Sequence, residues 1–144
     1  MSPKALSRIL AVKERLRQLK RSELAEANAE VHSAEHQVAL REGLRTEAAR
    51  AVGCQGDVAG GELQNRAELF AVARSDHAKA TKVLNERNVE RDVCKEAVVD
   101  ATRDMRVIET LRERSVAIVE KEQATREQTE LDEISSHTQT RRAL

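Results

Sequence analysis

The sequence predicts an all-α protein, a long antiparallel two-helix coiled-coil hairpin with a longer C-terminal helix. Ala, Glu, Lys, Leu and Arg make up a little over half of the 144 residues, whereas Phe70 is the only aromatic residue and Pro3 the only proline. This composition is typical of long helices and not of an enzyme with a dense core, to which aromatic side chains contribute much buried area. Composition alone leaves a largely disordered chain open as the alternative.

Capping residues and glycines set the expected helix bounds. Ser2 suits the N-cap position and Pro3 the first helical position, so the first helix is expected at about 3–52. Four of the five glycines fall between positions 53 and 61. Glycine costs about 1 kcal/mol relative to alanine inside a helix, so this cluster predicts a turn. The second helix is expected at about 62–134, with a tail at 135–144, in a single coiled-coil domain that covers 1–144.

Both predicted helices carry apolar residues at heptad spacing. In the second helix, a positions recur every seven residues from Leu63 to Val119, and d positions from Arg66 to Ser115. Most are apolar or small, which is typical of a coiled-coil seam. In the first helix the 3-4 spacing is carried by Leu24, Ala27, Val31, Ala34 and Val38. Nearer the start a broader apolar stripe is formed by Leu6, Ile9, Leu10, Val12, Leu16 and Leu19.

The seam is polar in places, with His77, Arg87, Arg91 and Arg112 at a or d positions. In one interpretation, these long side chains extend past small partners and keep their polar heads in water. In the other, they fix the register of the hairpin, as polar groups within a seam can do.

The two predicted helices differ in length. A turn centred near Asp57 would place residue i opposite about residue 114−i, so that Leu6 would meet Ile108. The chain beyond about Arg112 would then have no partner helix of its own. This part still contains the apolar residues Val116, Ile118, Val119, Leu131 and Ile134. Unpaired apolar residues on a projecting helix indicate contact with another molecule.

Sequence motifs for chemistry are weak. His32-Ser33-Ala34-Glu35-His36 matches a zinc-peptidase pattern, but the heptad places His32 and His36 at outward b and f positions. The glycine cluster has no following Lys-Ser/Thr, so it does not form a phosphate loop. Cys54 and Cys94 form no metal or redox motif. The longest apolar run, residues 69–73, is too short to span a bilayer. We therefore expect no catalytic residue, cofactor, metal or direct membrane insertion.

Charge is distributed unevenly although the net charge is zero. Residues 4–21 carry seven cations against one carboxylate, and residues 120–133 carry six carboxylates against two cations. A solvated helix face and an electrostatic docking surface both agree with this pattern. Nucleic acid is not an expected partner, because no aromatic residues interleave with the cations.

The C-terminal third resembles the end of the FliJ family of flagellar export proteins. The resemblance rests on Thr110-Leu111-Arg112-Glu113-Arg114, on Glu120-Lys121-Glu122, and on residues 126–134 with the sequence REQTELDEI. A short basic tail at Arg141-Arg142 follows. Length and the two-helix layout also agree with the family, and the YscO-like stalks of virulence type III secretion systems share that layout.

The resemblance implies a coiled coil similar to the central stalk of rotary ATPases. It implies binding to the hexameric export ATPase and its regulator, to a membrane protein of the export gate and to export chaperones. It also implies a cytoplasmic location at the inner face of the membrane. The residues expected to contact the ATPase are Arg8, Arg15, Arg112, Arg114, Val116, Val119 and Lys121. Phe70 is expected to face the export gate. A generic coiled-coil scaffold or chaperone without an ATPase partner is the alternative.

Overall fold

The computed structural model describes residues 1–53, 56 and 59–144. Helix α1 spans Pro3–Gly53 and helix α2 spans Gly60–Ala143, and no strand occurs among the described residues. The two helices pack together, which confirms the all-α antiparallel hairpin. The centre of the predicted turn, with Cys54, Gln55, Asp57 and Val58, lies outside the described residues.

The start of α1 has the predicted cap. The backbone N–H of Ala5 donates to Ser2 Oγ at 3.3 Å, and that of Leu6 donates to the Ser2 carbonyl at 3.1 Å. Ser2 therefore satisfies donors that have no partner inside the helix, and Pro3 occupies the first helical position.

Helix α2 is longer than predicted at both ends. It begins at Gly60, where the Ala59 carbonyl accepts hydrogen bonds from the N–H groups of Glu62 and Leu63. The tail assigned to residues 135–144 is wrong, because the helix continues to Ala143. In this part Thr138 Oγ1 donates to the Ile134 carbonyl at 2.8 Å and Thr140 Oγ1 to the Ser136 carbonyl at 2.9 Å. These hydroxyl groups are satisfied within the helix and do not compete with it.

The chain divides into two compact units. The first comprises Met1–Arg17 and Asp100–Leu144, and the second comprises Gln18–Val99. The prediction of a single domain stays a prediction. In the second unit the buried residues of α1 are Ala27, Val31 and Ala34, which have the predicted 3-4 spacing. The spacing of this part of the seam is therefore confirmed.

In the first unit the buried residues are Leu6, Ala101 and Met105. The broad apolar stripe is partly wrong, because Val12 is 64% exposed and Leu16 is 38% exposed. The half-buried positions follow the heptad instead, through Leu10, Lys13 and Arg17. The aliphatic stems of lysine and arginine can cover the seam while their charged heads stay in water, so heptad position decides over side-chain hydrophobicity here.

The register differs from the predicted one. In the second unit Arg41 forms an ion pair with Asp76, and Arg87 forms one with Glu30. Arg66 Nη1 also donates a hydrogen bond to the Ala51 carbonyl. In the first unit Lys13 pairs with Asp104. The residue numbers of these pairs add up to 117, and those of the pair Glu42–His77 add up to 119, whereas the predicted sum was about 114. Leu6 is consequently level with Leu111, and its predicted pairing with Ile108 is wrong. The glycine cluster marked the turn but did not determine how many residues it contains.

The polar seam residues lie at the edges of the seam. Among the described residues no polar or charged residue is buried. His77 Nε2 lies 2.9 Å from Glu42 Oε2, and Arg87 Nη1 lies 3.3 Å from Glu30 Oε2. Their heads therefore reach solvent, as the first interpretation expects, and they also contact carboxylates of α1. The role in fixing the register stays a prediction. Arg112 is exposed.

We expect the stability of the hairpin to depend on the ionisation of Glu42. Arg45 Nη2 donates a 2.7 Å hydrogen bond to Glu42 Oε1, and this bond, with the charges of Arg45 and His77, lowers the pKa of Glu42. A carboxyl group with a lowered pKa in the folded state stabilises that state above its ordinary pKa and loses this contribution as pH falls. The melting temperature should therefore fall further between neutral and acidic pH in the native sequence than in Glu42→Gln.

Thermal melts followed by circular dichroism measure this difference. Glu47→Gln is the matched control, since Glu47 is exposed and forms no ion pair within 4 Å among the described residues. It should keep the pH dependence of the native sequence. An unchanged pH dependence in Glu42→Gln would contradict the assignment.

Candidate partner-binding surface

A groove of about 640 Å³ lies in the first unit beside the start of α1. The Leu6 side chain, only 4% exposed, is part of its wall. Ser115 Oγ donates a 3.2 Å hydrogen bond to the Met1 carbonyl, which holds the start of the chain against α2. The groove is lined by Met1, Ser2, Pro3, Leu6, Leu111, Arg114, Ser115, Ile118, Val119 and Glu122. It is thus an open, mainly apolar surface where the start of the chain lies against α2.

The cations expected from sequence to bind the ATPase have no partner of their own. Among the described residues none of them forms an ion pair within 4 Å. All are exposed: Arg8, Arg15, Arg112, Arg114 and Lys121. Because exposed cations without a partner keep their full charge toward solvent, they can attract a partner of opposite charge.

The structure does not gather all of these cations into one cluster. Arg8 and Arg15 occupy f positions of α1, which face away from the partner helix. Arg114 and Lys121 are seven residues apart on one side of α2. Of the predicted residues, the groove contains only Arg114 and Val119, while Val116 is half-buried beside it.

Two further apolar residues line this groove: Leu111, which was not expected to face a partner, and Ile118, which was expected to contact another molecule but was not assigned to the ATPase. Leu111 is 44% exposed and Ile118 is 59% exposed, and both line the groove. They occupy g positions, seven residues apart, and are adjacent to the a and d seam. Their seven-residue spacing alone indicates that both residues lie on the same side of α2. Their exposure depends on where α1 begins, which sequence spacing does not determine.

After the half-buried residue Val116, α2 continues as an exposed helix. Every residue from 117 to 144 is exposed, and we call residues 117–143 the C-terminal extension. The unpaired part therefore begins about five residues later than the predicted Arg112. The hydrogen bonds of its side chains stay within the helix, as between Gln128 Nε2 and Asp132 Oδ1 at 3.0 Å. The apolar residues Leu131 and Ile134 are each more than 60% exposed.

Phe70 belongs to the second unit and is half-buried at an a position of the seam. The neighbouring residues Leu69 and Val72 are 66% and 58% exposed. The exposed apolar surface near the turn is therefore formed by these two residues more than by Phe70. Sequence analysis selected Phe70 because it is the only aromatic residue.

The histidines of the zinc-peptidase-like motif lie on the surface of α1. His32 Nδ1 lies 3.5 Å from Glu35 Oε2, and His32 and His36 are both exposed. In the described ranges no group of three His, Cys, Asp or Glu residues is placed to hold a metal ion. Cys94 is a half-buried free thiol. Neither helix, over the residues described, has a segment apolar enough to cross a lipid bilayer.

The sequence of this chain matches the model of a known protein family. The model of the family described as flagellar FliJ protein matches residues 2–144. The chain belongs to the FliJ family. It is therefore a component of flagellar protein export, and the match extends far beyond the motif at residues 110–142. No curated protein and no solved structure gives a match to the chain.

Membership of the FliJ family gives the groove and the C-terminal extension a biological setting. Exposed apolar residues and charged side chains are the features through which one protein contacts another. The exposed apolar residues and unpaired cations of the first unit are chemically suited to such contacts.

Proposed function

We propose that this chain is a central-stalk-like coiled coil that binds and stimulates the hexameric flagellar export ATPase. It has no catalytic activity of its own. It also contacts the regulator of the ATPase, links the ATPase to a membrane protein of the export gate, and associates with export chaperones. In this role it works in the cytoplasm, peripherally at the inner membrane. Family membership supports the setting, and the surface of the first unit supports the ATPase contact.

One observation carries the ATPase contact: unpaired cations lie beside exposed apolar residues where α2 leaves α1. Arg114 and Val119 line the same groove, and Arg112 is exposed at the end of the seam. A stalk inside a hexameric ring must present a surface that several subunits can accept in turn. Distributed charge with a few apolar residues suits this need, because one deep apolar contact would hold a single orientation.

The surface near the turn is proposed to contact the export gate. Phe70 was expected there, and the structure adds the exposed residues Leu69 and Val72 beside it. These residues belong to the second unit, whereas the proposed ATPase contacts belong to the first. Variants of the two surfaces should therefore affect the two partners separately.

Charge reversal tests the ATPase contact. The double variant Arg112→Glu with Arg114→Glu should reduce stimulation of ATP hydrolysis at least tenfold, because both side chains are exposed and would then repel an acidic partner surface. Helix content should stay unchanged, since neither side chain is buried or in an ion pair within the described residues. Steady-state ATP hydrolysis by the purified export ATPase, titrated with each variant, measures the effect.

The matched control reverses two exposed cations of the second unit, Arg74→Glu with Lys82→Glu. Neither forms an ion pair within 4 Å among the described residues. This control should stimulate the ATPase as the native chain does. Equal loss in both double variants would mean that overall charge matters and not this surface. A native chain that does not bind the ATPase at all would favour the generic scaffold or chaperone.

A further inference from the structure

On α2 of the first unit, exposed apolar residues lie in a line between cations. Val107, Leu111 and Ile118 are 54%, 44% and 59% exposed. Val107 and Leu111 share a shallow surface groove with Arg103, Arg106 and Arg114, while Leu111, Arg114 and Ile118 share the groove at the start of α1. The two grooves therefore meet along one side of α2, which we call the lateral face.

The spacing of the apolar residues suits a helix as the binding partner. Val107, Leu111 and Ile118 follow intervals of four and seven residues, so they form a stripe about 16 Å long at 1.5 Å per residue. A stripe of this length matches about three turns of a helix packed alongside. A single apolar side chain of a partner would leave most of the stripe in water.

The cations determine the charge of that partner. In the part of the chain that the structure describes, Arg106 and Arg114 form no ion pair within 4 Å, and Arg103 has only Asp100 at 3.8 Å. The side chains of Arg103 and Asp100 are both more than 70% exposed, so water screens this pair strongly. The lateral face thus presents net positive charge beside its apolar stripe.

We propose that the lateral face binds an acidic amphipathic helix of a partner protein. The apolar side of that helix packs on Val107, Leu111 and Ile118, and its carboxylates pair with Arg106 and Arg114. Pairing of this kind contributes specificity and association rate, while apolar burial contributes affinity. The inference deepens the proposed function, since Arg114 also belongs to the ATPase-binding surface, and it rests on that proposal for the identity of the partner protein.

Two designed peptides test the inference without the ATPase. Both have leucines at i, i+3, i+4 and i+7 on one side of a helix; one carries glutamates on its flanks, and the other carries lysines there. Fluorescence anisotropy with the full chain measures binding. The glutamate peptide should bind at least tenfold more tightly than the lysine peptide, and its affinity should weaken as salt is raised.

Two variants locate the binding on the chain. Leu111→Asp, and Arg106→Glu combined with Arg114→Glu, should each weaken binding of the glutamate peptide at least tenfold. The control Val93→Asp changes an exposed valine of the second unit and should leave binding unchanged. Circular dichroism checks that all variants keep the helix content of the native chain.

Several results would overturn the inference. They are equal binding of the two peptides, unchanged binding by Leu111→Asp, or binding of a duplex DNA oligonucleotide as tight as that of the glutamate peptide. A chain that stimulates the ATPase but does not bind the glutamate peptide would refute this inference and leave the proposed function intact. A chain that binds the peptide but does not stimulate the ATPase would refute the proposed function alone.

Discussion

Replacement of Val31 by Asp should unfold the second unit near physiological temperature. Val31 is only 3% exposed, and its neighbours Ala27 and Ala34 are also buried. A carboxylate at this position would lose its hydration, and Arg87 across the seam is already paired with Glu30 and Glu90, so the change costs about 3 kcal/mol or more. Small domains have total stabilities of about 5–15 kcal/mol, and a seam built largely of alanine buries little apolar area per turn. A single buried charge is therefore a large fraction of what holds the helices together.

Thermal and urea denaturation, followed by circular dichroism, measure the effect. Val31→Ala removes only two methyl groups and should lower the free energy of unfolding by about 1–2 kcal/mol. Val89→Asp is the matched control, because Val89 is 64% exposed on α2. It should change stability by about 0.5 kcal/mol or less. A Val31→Asp chain that melts at the same temperature as the native chain would show that Val31 is not in the packed interface.

The seam of the second unit could be predicted from sequence because it depends on local spacing. Ala27, Val31 and Ala34 share one side of a helix whatever the partner is, so a period of 3.5 residues is sufficient to select them. Near the start of α1 the heptad spacing places the charged residue Lys13 in the seam and the apolar residue Val12 outside it. Hydrophobicity and heptad position disagree there, and the structure follows the heptad.

The register could not be predicted from the same spacing. It depends on how many residues form the turn, and four glycines mark that turn without determining its length. The pairs Lys13–Asp104 and Arg41–Asp76 show the alignment only once the two helices are side by side. An error of three residues in the register moves the partner of Leu6 from Ile108 to Leu111.

The candidate site could be predicted only in part, because the exposure of some of its residues depends on the register. Arg114 and Val119 were selected because they follow the expected end of the paired region, and both line the groove. Leu111 was missed, since its exposure depends on the long-range alignment of α1 with α2, and Ile118 was expected to contact another molecule without being assigned to the ATPase. Arg8 and Arg15 were selected for charge, although their heptad positions already face away from α2.

Removal of residues 117–144, that is, of the C-terminal extension and Leu144, should abolish stimulation of the export ATPase. The extension carries Val119 and Lys121 and follows Ser115, whose side chain donates a hydrogen bond to the Met1 carbonyl. Because every residue of the extension is exposed, its removal should leave the melting temperature of the paired region within a few degrees of that of the full chain. Loss of stimulation would then result from a lost contact and not from unfolding.

A shorter truncation serves as the control. Ending the chain after Ile134 removes residues 135–144, which include none of the proposed ATPase contacts, and should keep most of the stimulation. Both truncated chains are compared with the full chain for helix content and melting temperature before they are assayed.

The most direct test is the rate of ATP hydrolysis by the purified hexameric export ATPase, titrated with the full chain, the chain ending at residue 134 and the chain ending at residue 116. We predict saturable stimulation by the first two and none by the third, with similar melting temperatures for all three. Full stimulation by the chain ending at residue 116, or no stimulation by the full chain, would contradict the proposal that this hairpin acts on the ATPase through the end of α2.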